Sequence, residues 1–334
     1  PPGLLGAICF RMENSMNNKI KIIIAIGIIG IVIMVAGFVM GSGPSSIPAI
    51  FSEATIPEGA VPIGDVQTTD VRSIELNLFA SKISIKSGEN FDLSGSGQYD
   101  GYVLNGVLYA GATQFKRTAN VFGLKFSVPS KWVCGYGSYV LVIPPNAKLD
   151  QITINTNRSD VTCDALVASQ VNINIKNGDL SADKLTADTA SINVDGTTSI
   201  ASSEITRNGN IASNNRLLVG TSGSAMDSTM SNTTLSNKHG GITLYAKLMG
   251  SASLQTSRGN IEAALAGTKA NYTFPAAAYN LKIHESVVPA DARNSTEQYG
   301  TISVTADRGN ASISFERETE SQADTKGQTK DKNK

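Results

Sequence analysis

Two pairs of aspartates stand nineteen residues apart: Asp160 with Asp179, and Asp164 with Asp183. If residues at this spacing fall on adjacent strands, each pair lies about 4.8 Å apart. Carboxylates that close have three uses. They shift one another's pKa and serve as acid and base on a glycosidic bond. They share a calcium ion. In the plainest case they stay solvated and accept hydrogen bonds from turn amides. Other chemistry is sparse. His239 (in NKHGG) and His284 (in YNLKIHESVV) are the two histidines, and neither stands in an HExxH pattern. No GxSxG elbow marks a nucleophilic serine. Cys9, Cys134 and Cys163 include no CxxC pair, and a Cys134–Cys163 disulfide is left open. Trp132 is the one tryptophan, so there is no tryptophan cluster to grip sugar rings. The sequence therefore predicts no catalytic residue and no cofactor. Asp160, Asp179, Asp164 and Asp183 are the only metal-site candidates, and weak ones.

The elements that position these aspartates form a repeat. Ile154, Ile173 and Ile192 are spaced by nineteen residues, and each is followed by Asn. Asp160-Val161-Thr162 matches Asp179-Leu180-Ser181, and Leu166 matches Leu185. A third copy, TSIASSEI, aligns by residue type with one residue added, so that Ile200 answers Leu180 and Ile205 answers Leu185. That alignment puts Cys163, Ala182 and Ser202 in one small slot. Leu235 and Leu254, and Gly240 and Gly259, repeat the spacing of nineteen. A unit of 19–20 residues is too short for a helical repeat. It suits one coil of a β-solenoid, in which stacking covers the apolar face that a single coil leaves bare. The predicted interior columns are Ile154–Ile173–Ile192 and Val161–Leu180–Ile200. A β-sandwich is the rival architecture. Period-two alternation in SIELNLFASKISIKSG, GLKFSV and SYVLVIPP supports strands throughout. The predicted class is all-β: a single-stranded parallel β-solenoid of 19–20 residues per coil over 71–316, preceded by one transmembrane helix.

The chain before this region is different. Ile22 to Met40 carries no charge, and about 1.5 Å of rise per residue lets it span one hydrocarbon core. A helix over 22–41 would turn Ile22, Ile26, Ile29, Ile33 and Met40 to lipid. Arg11, Lys19 and Lys21 precede it, whereas 42–71 holds acids but no Lys or Arg. The positive-inside rule then places 1–21 in the cytoplasm and the solenoid outside the cell membrane. A cleaved signal peptide is the alternative. Residues 1–15 read as a possible translation artefact ahead of Met16. Residues 42–70, with four prolines, read as a spacer, and 317–334 as a disordered charged tail.

The Lys-rich leader with one apolar helix, the strand pair SIELNLFASKISIKSG, the proline-ended YVLVIPPNAKLDQITINT and the coils RSDV and NGDL resemble a known family. It is the bacterial "putative adhesin" family, catalogued as domain of unknown function 4097. The resemblance covers about 71–316 and is strongest from Tyr139 to Ile200. It implies a membrane-anchored extracytoplasmic β-solenoid and supplies no reaction.

A net charge of zero, from 28 basic and 28 acidic residues, gives no reason to expect nucleic acid as a partner. The expected function is a non-catalytic, adhesin-like binding module whose partner is cell-wall polymer, glycan or a membrane protein. Two alternatives stand beside it: an accessory or sensor subunit of an envelope-stress system, and a polysaccharide-degrading β-helix.

Overall fold

The computed structural model describes Gly30 and residues 57–63, 70–79, 81–96, 100–111, 116–121, 124–129, 137–223, 225–275, 281–284 and 297–316. The anchor positions Ile22, Ile26, Ile29, Ile33 and Met40, together with Cys134, Trp132 and the tail 317–334, lie outside the described residues. Among the described residues no helix is long and apolar enough to cross a membrane. Residues 53–118 and 127–334 group into one unit. Lys116–Val121 and Leu124–Pro129 form a two-stranded sheet of their own.

The unit formed by 53–118 and 127–334 is built from strands whose side chains alternate. In Ser73–Phe79, Ile74, Leu76 and Leu78 are buried and their neighbours are not. A strand with this pattern needs a partner that continues each column, and parallel stacking supplies it. One column runs through Ala110, Leu76, Ile154, Ile173, Ile192, Ile211, Leu235, Leu254 and Val304, each register-paired with the next. All nine are buried. Covering one such side chain contributes roughly 1.5–3 kcal/mol. This column, which contains Ile154, Ile173 and Ile192, is the spine of the solenoid.

A second wall carries two more columns. One joins Tyr139, Ile83, Val161, Leu180, Thr198, Leu217, Ile242, Ile261 and Ala311. The other joins Leu141, Ile85, Cys163, Ala182, Ile200, Val219, Leu244, Ala263 and Ile313. Here the structure corrects the sequence alignment. Leu180 faces Thr198, and Ile200 faces Ala182; Leu185 faces Ser203, and Ile205 faces Ala187. The corner between Val194 and Thr198 is one residue shorter than the corner between Ile175 and Leu180. A bulge then places two residues, Thr206 and Arg207, where the preceding layer has one, and the spacing of nineteen returns at Thr189–Asn208. Matching aliphatic to aliphatic missed this because Thr198 occupies an apolar column. It is fully buried, and its hydroxyl has no hydrogen-bond partner, a cost of about 1–3 kcal/mol. Cys163, between Ile85 and Ala182, is a buried free thiol. Burial first, then the nearby Asp164 and Asp183 carboxylates, hold its pKa far above the ordinary thiol range.

The ends of the stack are built out of chain order. Ser73–Phe79 lies between Val107–Gly111 and Gln151–Asn157, and Ser81–Ser87 lies between Gly137–Ile143 and Asp160–Cys163. At the other end Gly300–Ala306 pairs with 250–256 on one side and Tyr272–Thr273 on the other. Ala311–Glu316 is likewise flanked by Ile261–Ala266 and Leu281–Ile283. The first and last long strands of the domain are thus interior layers. The pieces outside them are short or reversed: Asp92–Ser96 and Asp100–Leu104 add antiparallel, and Val61–Pro62 adds a two-residue strand with a proline. Such endings blunt a sheet edge against pairing with another chain. The parallel solenoid expected from the repeat therefore carries antiparallel strands at its N-terminal end.

Candidate binding face

The paired aspartates are exposed at and beside the corners between stacked strands: Asp160 opens Asp160–Cys163, Asp179 precedes Leu180–Val194, Asp164 follows Cys163 and Asp183 lies within Leu180–Val194. Asp160 accepts a hydrogen bond from the backbone N–H of Asp179 at 3.0 Å, and Asp179 accepts one from the N–H of Thr197 at 2.7 Å. Each carboxylate thus ties its turn to the turn of the next layer. Arg158 and Asn177, which precede these turns by two residues, take left-handed backbone conformations (φ 58° and 55°). The glycine of NGDL is required for a different reason, because a Cβ on Gly178 would strike the carbonyl of Ser159. Among the described residues no group of three or more His, Cys, Asp or Glu side chains is arranged to hold a metal ion. His239 is exposed in a turn, and His284 is exposed at the end of Leu281–Ile283. Replacing Asp179 with Ala is expected to cost about 1 kcal/mol, the worth of one such bond, while Asp179→Asn keeps an acceptor and costs less. Urea denaturation checks this order. A chelator is expected to leave the midpoint unchanged, and a calcium-dependent midpoint would contradict the assignment.

The outward side chains of the spine wall build a polar surface. Asn77, Asn155, Asn174 and Asn193 occupy one outward column in strict register. The amide of Asn155 donates to Asn77 at 3.2 Å, and that of Asn193 donates to Asn174 at 3.4 Å. Beside it runs a column of Thr153, Asn172, Ser191, Asn210, Thr234 and Ser253. Cross-links within single strands fix more of the array: Gln151 donates to Thr153 at 3.1 Å and Gln255 to Ser253 at 2.8 Å. Amides held by their neighbours lose little rotamer freedom when a ligand arrives, which is the advantage of a preorganised face.

Next to this face lies a cleft of about 340 Å³. Val167, Ala168 and Ala187 supply apolar lining, and Lys148, Asp150 and Asp188 supply charge. Asp188 accepts a hydrogen bond from the hydroxyl of Thr206 at 2.7 Å. The hydroxyl of Thr186, also in the lining, is buried without a hydrogen-bond partner. Val167 is 45 % exposed, one of two large hydrophobic residues so exposed among those described. Sequence reading missed the cleft. Its one signal was the pair Leu166-Val167, in which the second aliphatic falls on the outward side of an otherwise alternating strand.

A family model described as Toastrack DUF4097 matches residues 71–314. The chain belongs to the Toastrack DUF4097 family. The matched span covers both walls of the stack, with the asparagine column and the cleft inside it. Among solved structures, the Toastrack chain is similar to a "putative cell adhesion protein" from Clostridium sporogenes. That likeness has 11 % identity and a TM-score of 0.23, and it covers 77 % of this chain and 96 % of the other. No curated protein matches the sequence.

Proposed function

We propose that this Toastrack protein is a membrane-tethered, non-catalytic binding module that presents its solenoid to a glycan or wall polymer outside the cell. The observation that carries the reading is the in-register array of outward amides and hydroxyls around Asn155, Asn174 and Asn193. A repeating surface suits a repeating ligand, since each added sugar meets the same donors and acceptors one or two layers along. The cleft beside it adds apolar lining for C–H faces and two aspartates for hydroxyls. Non-catalytic use of the carboxylates is supported by their engagement: Asp160, Asp179 and Asp188 each already accept a hydrogen bond inside the fold. Tethering rests on the uncharged run from Ile22 to Met40 and the basic residues before it.

The test is binding of the full chain, in mild detergent, to an array of purified cell-wall glycans. Binding that falls at least tenfold in an Asn155→Ala, Asn174→Ala double variant of unchanged thermal midpoint is the expected result. Binding that survives the double substitution, or turnover of any arrayed glycan that is lost in Asp160→Asn, Asp179→Asn, would overturn the proposal.

A further inference from the structure

The corner that leads from the spine wall to the second wall carries a row of basic side chains in the C-terminal half of the stack. Asn237 pairs with Thr256 and Thr256 with Ala306 on one side of the corner; Ile242 pairs with Ile261 and Ile261 with Ala311 on the other. These registers place His239, Arg258 and Arg308 on top of one another. Lys238 adjoins His239, and Arg216 lies in the same corner one layer earlier. All five are exposed.

The corner is held rigidly beneath them. The third interior column of the spine wall changes here from aliphatic (Ile175, Val194) to polar: Ser213, Asn237 and Thr256, all buried. Ser213 donates to the carbonyls of Gly196 (2.7 Å) and Arg216 (2.8 Å). Asn237 accepts from the N–H of Gly240 at 2.6 Å, and Thr256 donates to the carbonyl of Gly240 at 3.0 Å. Glycines 240, 259 and 309 then let successive turns close to a distance that a Cβ would obstruct. Buried polar side chains cost stability unless bonded; these bonds fix the turn, while the amide nitrogen of Asn237 is buried without a partner.

Like charges one layer apart, about 4.8 Å, repel. Among the described residues acids are fewer than bases at this corner: Asp195 in the layer before Arg216, and Asp307 beside Arg308. Asp195 accepts a hydrogen bond from the amide of Asn214 at 2.9 Å. Asp307 is the one acid in these turns. A column on a fixed backbone in which basic side chains outnumber acidic ones is an arrangement that an added anion stabilises. Its length, three steps or roughly 14 Å, matches an extended chain lying along the solenoid axis.

We propose that this corner binds a linear polyanion, one with a phosphate or carboxylate on each short repeat and no aromatic bases. Arginine forks suit both oxyanions. The base-free class is favoured because single-stranded nucleic acid is gripped by stacking on aromatic side chains. The four turns 214–216, 238–241, 257–260 and 307–310 contain no Phe, Tyr or Trp, and His239 is their one ring. The site is separate from the asparagine face and stands or falls independently of it.

The experiment measures binding of fluorescent inorganic polyphosphate and polygalacturonate to the full chain in low salt, with oligo(dT) of equal charge alongside. At least one of the first two is expected to bind more tightly than oligo(dT), with affinity that falls as salt rises. Arg258→Glu, Arg308→Glu should weaken it at least tenfold with an unchanged thermal midpoint. Lys82→Glu, Lys184→Glu, the same charge change elsewhere on the stack, should alter it less than twofold. The polyphosphate and polygalacturonate arms separate phosphate from carboxylate. No binding of either polymer, tighter binding of oligo(dT), or equal loss in the two double variants would each refute the proposal.

Discussion

Replacing Ile173 with alanine is expected to cost the solenoid about 3 kcal/mol, read as a lowered midpoint in urea denaturation of the full chain. Ile173 is buried, with Ile154 above it and Ile192 below. Truncation removes its own burial and opens a void against both neighbours, and packing this regular has little freedom to collapse into the gap. The adjacent Asn174 points outward, so Asn174→Ala should change stability by no more than about 0.5 kcal/mol. The contrast between consecutive residues separates a column from a merely hydrophobic segment. Equal effects at 173 and 174 would contradict the register.

Gly259→Ala should be as damaging, for a different reason. The backbone there has φ 151°, and a Cβ would strike the carbonyl of Gly240 in the layer beneath. Gly309 in turn has no room for a Cβ against the carbonyl of Gly259. A methyl group at 259 forces two turns apart, and the expected loss is about 3 kcal/mol, at the upper end for overpacking. Gly223→Ala is the control. It also has a left-handed φ (76°), but nothing lies within 4 Å of its would-be Cβ. Its cost is expected near 1 kcal/mol, from backbone strain alone. If the two variants lose the same amount, close approach is not what selects glycine at 259.

Much of this was readable in the residues because a solenoid writes its contacts as sequence spacing. Ile154, Ile173 and Ile192 are neighbours in space at the distance at which they repeat in the chain, and so are Asn155, Asn174 and Asn193. Gly240 and Gly259 were legible for the same reason. The register failed at Ile200 because a shortened corner and a later bulge cancel, so the count of nineteen survives while the residues between shift. Thr198 in an apolar column completed the disguise. The ends were not legible at all. Which strand covers Ser73–Phe79 depends on a chain that leaves and returns, and no local pattern records that order. The basic column was hidden by length, since Arg258 and Arg308 stack directly yet stand fifty residues apart.

Disulfide trapping on the outward face tests the stacking most directly. With the native cysteines replaced, Asn174→Cys paired with Asn193→Cys places two thiols on adjacent layers. Their Cα atoms should be about 4.8 Å apart, inside the range a disulfide spans. Asn174→Cys paired with Ala212→Cys lies in the same column one layer further on, about twice that distance and out of reach. Stacked coils predict rapid, near-complete oxidation of the first pair and none of the second. Equal oxidation of both pairs, or failure of the first, would mean that residues nineteen apart do not sit on one another.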